Sequence, residues 1–187
     1  MPDYLRLIDT NTSPRCEVTP LFGDYAAFTA LVEDLAARFD GTTIDAVAGI
    51  DALGFILGTA LALRFKTGFV PVRKDGKLPV KADRAEFVDY TGQRKALELR
   101  VGAVQPGARV LLVDEWIETG AQAKAAIELI EGQGGVVAGV AAVNIDVNEG
   151  TRPLITKYNC QSALRAEDSL PLPGIFPTGE GPGTSAK

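Results

Sequence analysis

The run Val110-Leu111-Leu112-Val113-Asp114-Glu115-Trp116-Ile117-Glu118-Thr119-Gly120-Ala121-Gln122 constrains this chain more than any other segment: an apolar strand, an acidic pair and a small-residue turn lead into a helix. Four apolar residues in succession suit a strand buried on both faces of a parallel sheet, and ligands of such sheets collect beyond the carboxyl ends of the strands. Asp114 and Glu115 stand at that end. Thr119-Gly120-Ala121 offers a tight turn whose backbone N–H groups, with the start of a helix from about Ala121, can surround a phosphate. Hydroxyl-seeking carboxylates thus lie beside an anion cradle, which is what a phosphorylated sugar requires. The plainer alternatives are a solvated acidic pair at a strand end and Thr119 as an ordinary helix cap.

A chain of 187 residues with 46% hydrophobic content can bury one core. Residues 1–169 are expected to form a single domain with a small N-terminal hood over about 1–22. The Pro/Gly-rich stretch 170–187 buries too little to offset its ordering entropy and is expected to be disordered. No apolar run approaches the about 20 residues a membrane span needs, and Met1-Pro2-Asp3-Tyr4-Leu5-Arg6 has no signal-peptide pattern, so a cytoplasmic protein with no membrane partner is expected. Cys16 and Cys160 suggest neither a disulfide scaffold nor a zinc site. A net charge of −5 argues against a nucleic-acid partner. The chain has no histidine, which excludes Ser-His-Asp and Cys-His nucleophiles and imidazole acid–base chemistry. Catalysis here must use carboxylates, Lys/Arg electrostatics, backbone donors or an ion carried in by a substrate.

Along the chain, Tyr25, Phe28, Leu31, Val32, Leu35 and Phe39 form a helical stripe capped by Asp24 and ended by Gly41. Ile44 to Ile50 reads as a buried strand, Leu53 to Phe65 as a helix and Phe69 to Val72 as the next strand. Arg73 to Tyr90 is charged and poorly periodic, as a surface loop or short hairpin would be. Ala96 to Val101 alternates like an edge strand. Gln105-Pro106-Gly107 turns into the strand Arg109 to Val113, a helix follows with Ala123, Ala126, Ile127 and Ile130 on one face, and Val136 to Val143 is a further strand. Strands alternating with helices predict an α/β fold around a mostly parallel sheet.

The central run resembles the ribose-phosphate signature of type I phosphoribosyltransferases. Val18-Thr19-Pro20-Leu21, Gly49-Ile50-Asp51-Ala52-Leu53-Gly54-Phe55, Val70-Pro71-Val72-Arg73-Lys74-Asp75-Gly76-Lys77-Leu78-Pro79 and Gln105-Pro106-Gly107-Ala108-Arg109-Val110 narrow the resemblance to adenine phosphoribosyltransferases, from about Thr19 to Val143. The resemblance implies the type I fold, with a parallel sheet flanked by helices under an N-terminal hood. It implies transfer of the 5-phosphoribosyl group from phosphoribosyl pyrophosphate to a purine-type base, adenine being the best choice. Magnesium would arrive with that substrate rather than on a protein metal site, and a homodimer is implied.

Residue by residue, the resemblance assigns Asp114 and Glu115 to the ribose hydroxyls, and Thr119, Gly120, Ala121 and Gln122 to the 5-phosphate. Asp51, Ala52 and Leu53 fall in the pyrophosphate turn. Arg73, Lys74 and Lys77 match cations facing the diphosphate; the alternative is a solvated basic loop. Asp89, before Tyr90 and Gly92, matches the acid of a flexible catalytic loop, and Trp116, Arg15 and Cys16 line the base site. Departures from the pattern are informative. Leu53 replaces an Arg, Ala121 and Gln122 replace small or hydroxyl residues, and Glu118 stands where adenine enzymes carry Ala and hypoxanthine-guanine relatives carry Asp. Leu53 and the altered loop motivate a second hypothesis, a catalytically silent nucleotide or phosphoribosyl pyrophosphate sensor. Glu118 and Trp116 motivate a third, transfer to a different heterocycle.

Overall fold

The computed structural model describes residues 2–12, 16–89, 91–165 and 168; the tail 170–187, Arg15 and Tyr90 lie outside them. A 3-10 turn, Asp3–Leu7, precedes α1 (Thr19–Gly23) and α2 (Tyr25–Ala37). The chain continues through β1 (Ala46–Ile50), α3 (Leu53–Phe65), β2 (Gly68–Lys74), β3 (Ala82–Val88), β4 (Arg94–Arg100), β5 (Arg109–Val113), β6 (Trp116–Ile117), α4 (Ala121–Gly132), β7 (Val136–Ala142), β8 (Asn144–Ile145), α5 (Arg152–Lys157) and β9 (Cys160–Ser162). Asp24 caps α2 as its sequence predicts, its carboxylate accepting from the Ala27 N–H at 2.8 Å.

Seven strands form one sheet in the order β3-β4-β2-β1-β5-β7-β9. Its centre and one flank are parallel: β1 pairs with β2 and β5, and β7 pairs with β5 and β9. On the other flank β4 runs antiparallel to both β2 and β3. The charged segment after Val72 is therefore a hairpin rather than a loop. The expectation of an edge strand over Ala96 to Val101 is corrected in the same way: β4 is paired on both sides, and β3 holds the edge. Alternation had the right period, but one face of β4 packs into the core through Leu97 and Leu99, and residue pattern along one strand does not reveal a second in-plane neighbour.

The parallel centre explains the unbroken apolar runs. Successive side chains of a strand point to opposite faces. On β5, Leu111 and Val113 join the core under α2, α3 and the N-terminal turn, whereas Val110 and Leu112 join the core under α4. Asp114 continues the second series, so its carboxylate emerges on the α4 side. Two glycines on β1 and α3 bring those elements together: a Cβ on Gly49 or on Gly58 would lie 2.8 Å from the Phe69 ring. No described helix is long and apolar enough to cross a membrane.

Leu111 is fully buried at the midpoint of the strand that carries the acids. Leu111→Ala is expected to lower unfolding free energy by about 2–5 kcal/mol, the usual range for such a cavity, and denaturant unfolding followed by circular dichroism will measure it.

Candidate functional site

A cleft of about 690 Å³ opens beyond the carboxyl ends of β1 and β5, lined by Asp51–Leu53, Lys74, Asp114–Ala123 and the inner surface of the β3–β4 hairpin. This is where a parallel sheet holds ligands. The lining gathers the acidic pair, the small-residue turn and the Asp51 turn, segments that lie far apart in sequence.

Asp114 is the most buried of these groups, with 4% of its surface exposed. Its Oδ1 accepts from the Glu115 N–H at 2.9 Å and its Oδ2 accepts from the Gln122 side-chain amide at 3.2 Å. Burial, followed by the hydrogen bond and charge of Glu115, pushes its carboxyl well above the ordinary range despite these donors. Glu115 is pinned at the backbone, its carbonyl accepting from the N–H groups of Val143 and Asn144. The amide of Gln122 is thus engaged on Asp114 rather than turned toward the Thr119–Ala121 turn.

That turn is built on Gly120, whose φ of +75° lets the chain reverse into α4. The Ala121 N–H reaches the Thr119 hydroxyl at 3.3 Å, while Gly120 itself occupies the cap position. A bracket from the far end of the chain holds the turn in place. Asn148 donates from its side chain to the Glu118 carbonyl at 2.6 Å and accepts from the N–H groups of Gly150 and Thr151. Gly150 lies so close beneath that a Cβ there would come 2.3 Å from the Thr119 oxygen. Nothing in the residue pattern distinguishes Asn148 and Gly150 from an ordinary surface turn, and the sequence reading missed them.

The Asp51 turn abuts the acidic strand end equally closely. A Cβ on Gly54 would fall 2.8 Å from the Val113 oxygen and 3.1 Å from Asp114 Oδ1. The Asp51–Ala52 peptide is cis. Leu53 is half-buried against the core of α2 and α3 while still lining the cleft. Of the three expected cations, Lys74 lines the cleft. Arg73 turns its guanidinium to Asp51 at 3.1 Å and over the Phe55 ring, and Lys77 is not among the lining residues. Arg84, Arg94 and Lys95 of the hairpin line it instead, Arg84 with its charge shared between Asp75 and Glu86. The sequence reading passed over these three because the hairpin had no visible partner.

Asp89 lies at the cleft but also anchors the hairpin turn. Its carboxylate accepts from the Thr91 N–H at 2.9 Å, the Thr91 hydroxyl at 2.6 Å and the Gln93 N–H at 3.0 Å, and it is paired with Lys95. Those partners hold its carboxyl far below the usual range. In this arrangement Asp89 is a fully engaged anion, and a proton relay through it requires the turn to open. Glu118 lines the cleft and its backbone carries the Asn148 contact. Trp116 is half-buried, lining the cleft while packing on the core near the N-terminal hood. Cys16 packs on that same core, and burial raises its thiol pKa, as suits a packing residue rather than a nucleophile.

The raised carboxyl of Asp114 has a stability consequence. In the unfolded chain the group ionises near roughly pH 4; in the folded chain it keeps its proton to higher pH. Between those limits the folded state binds the extra proton, so stability falls as pH climbs through the window. Asp114→Asn removes the burdened charge and is expected to flatten that decline and melt above the parent chain at neutral pH, as thermal melts from roughly pH 4 to pH 8 will record.

Comparison with known proteins agrees with this geometry. The domain family described as phosphoribosyl transferase domain matches residues 23–168. The adenine phosphoribosyltransferase of Sorangium cellulosum is 43% identical over 88% of this chain and 79% of its own length. That of Dinoroseobacter shibae is 46% identical over 76% of this chain and 79% of its own. The crystal structure of adenine phosphoribosyltransferase from Thermoanaerobacter pseudethanolicus superposes with a TM-score of 0.78 at 32% identity, covering 86% of this chain and 96% of that one. The Saccharomyces cerevisiae enzyme, complexed with D-2,5-dideoxy-2,5-imino-altritol 1,6-bisphosphate and adenine, gives 0.71 at 29% identity, covering 80% and 86%. With the strand-end acids, the glycine turn and the seven-stranded sheet all in their places, the chain belongs to the phosphoribosyltransferase family.

Proposed function

We propose that this enzyme transfers the 5-phosphoribosyl group of phosphoribosyl pyrophosphate to adenine, giving AMP and pyrophosphate. The observation that carries the proposal is the convergence of an acidic pair with its first member buried, a braced glycine turn at a helix N-terminus and a second backbone turn within one cleft. In this reading the backbone N–H groups at the start of α4 and the Thr119 hydroxyl hold the 5-phosphate. Asp114 and Glu115 accept from the ribose hydroxyls and place negative charge beneath a sugar ring that becomes oxocarbenium-like. A ring nitrogen of the base forms the new bond to the anomeric carbon and releases its proton to water, while the bond to the diphosphate breaks with its electron pair leaving on oxygen. The backbone of Asp51 to Gly54 receives the departing diphosphate, with Lys74 and Arg94 supplying charge that Leu53 does not.

Among the described residues no three His, Cys, Asp or Glu side chains gather as a cation cage. Magnesium brought in with the donor would lie with Asp114 and Glu115 as its nearest carboxylates and would supply neutralisation of leaving-group charge. The same reading carries a homodimer, for which exposed apolar Tyr25, Ile56 and Leu63 on the packed helices α2 and α3 offer a surface. It also carries a cytoplasmic setting, which suits the unpaired thiols of Cys16 and Cys160.

Incubating the full chain with phosphoribosyl pyrophosphate, magnesium and separate nucleobases, and measuring pyrophosphate release, tests the proposal. AMP formation is expected. Turnover confined to hypoxanthine or guanine would overturn the choice of base, and binding without turnover would favour the sensor. Leu53→Arg restores a charge-assisted contact to the diphosphate worth about 1.5–3 kcal/mol, so KM for phosphoribosyl pyrophosphate should fall on the order of ten- to hundredfold. Gly150→Ala forces the Thr119 oxygen to move; it should raise that same KM roughly tenfold or more with little change in KM for the base, because the phosphate is held through geometry.

A further inference from the structure

By resemblance Gln122 belongs to the 5-phosphate loop, yet its side chain is committed to a different partner. It is the second residue of α4 and lines the cleft half-buried. From there its Nε2 reaches back to the end of β5 and donates to Asp114 Oδ2 at 3.2 Å. The first turn of the helix is thereby tied to the acid of the strand rather than offered whole to an anion.

Other groups hold Asp114 from other directions. Its N–H donates to the Ala141 oxygen of β7 at 3.1 Å, and its Oδ1 accepts from the Glu115 N–H at 2.9 Å. The Asp51 turn closes on that same oxygen, since a Cβ on Gly54 would fall 3.1 Å from Oδ1 and 3.2 Å from the Asp114 Cα. Rotation of an aspartate carboxyl about its last torsion is soft, so a group held through one oxygen can still turn. A donor on each oxygen, one from the strand end and one from α4, removes that freedom. A carboxyl oxygen has two lone pairs, so Oδ2 can accept from Gln122 and from one further donor at the same time. A carboxylate so held meets a ligand hydroxyl without first having to be ordered.

We propose that Gln122 is a positioning residue for recognition of the ribose hydroxyls: it holds the Asp114 carboxyl in the orientation at which Oδ2 accepts from a hydroxyl of the pentose, and it does not contact the 5-phosphate. The inference rests on the function proposed above and reassigns one residue of that site from the phosphate to the sugar. Gln122 acts only through Asp114.

Comparing AMP with 2′,3′-dideoxy-AMP separates recognition of the hydroxyls from recognition of the phosphate, with binding to the full chain measured by calorimetry. Gln122→Met, which keeps the length of the side chain but has no donor, is expected to weaken AMP about tenfold and to leave dideoxy-AMP within about twofold. In turnover it should raise KM for phosphoribosyl pyrophosphate by a similar factor, with KM for adenine within about twofold of the parent. Gln122→Thr, which offers a hydroxyl to the phosphate loop but no amide to Asp114, should behave as Gln122→Met does. Asp114→Ala should lose the same preference for AMP, and adding Gln122→Met to it should bring no further loss. Equal weakening of both nucleotides by Gln122→Met, or parent-like binding in Gln122→Thr, would overturn the positioning role and return Gln122 to the phosphate. Should Asp114→Ala fail to fold, the two Gln122 variants decide the matter by the same comparison. If the parent chain binds neither nucleotide and turns over no base, the functional proposal falls and takes this one with it; a parent that prefers AMP, with Gln122 variants that keep the preference, sinks the positioning role alone.

Discussion

The buried carboxylate at the end of β5 is the constraint around which the cleft is assembled. Asp114 is desolvated because β5 lies at the centre of a sheet covered on both faces, and the strand's alternation delivers its side chain to the α4 side. A carboxylate in such a place needs donors, and the chain supplies them from its own neighbours: the Glu115 N–H and the Gln122 amide. The glycine at position 54 allows the second turn to approach within contact distance of the same oxygen. The site is thus a set of backbone turns packed around one acid, and its precision is inherited from the sheet rather than from long side chains.

The charges around the cleft divide by function. Negative groups sit at the end of β5, and cations come from the end of β2 and from the β3–β4 hairpin. Lys74 and Arg94 line the cleft, while Arg73 is paired with Asp51, Arg84 with Asp75 and Glu86, and Lys95 with Asp89. Leu53 brings no charge to the Asp51 turn, and the cations of the cleft stand on the end of β2 and on the hairpin instead. In a chain without histidine, this placement of fixed charge and backbone dipoles is the means by which a leaving anion can be stabilised.

Much of the architecture was legible because the buried strands and helices carry their periods openly. Leu53–Phe65 was delimited as found, Asp24 was identified as the cap of α2, and Val110 to Gln122 led directly to the cleft. What escaped had no local signature. The charged face of β4 looks like solvent exposure until β2 and β3 are placed on either side of it. Asp89 matches a catalytic acid by position, yet its oxygens are occupied by Thr91, Gln93 and Lys95, a fact decided by turn geometry. Asn148 and Gly150 matter only because the chain returns under the glycine turn, and no pattern of residue types announces a return.

That return imposes an order on assembly. The phosphate turn is made from residues near the middle of the polypeptide, whereas its bracket at Asn148 and Gly150 lies beyond α4, β7 and β8. A ribosome-bound chain that has exposed only as far as α4 already possesses the acids, the glycine and the helix terminus, but nothing beneath them. The rigidity of the glycine turn is therefore a property of the nearly complete chain: until residues through Gly150 are present, nothing supports it from below.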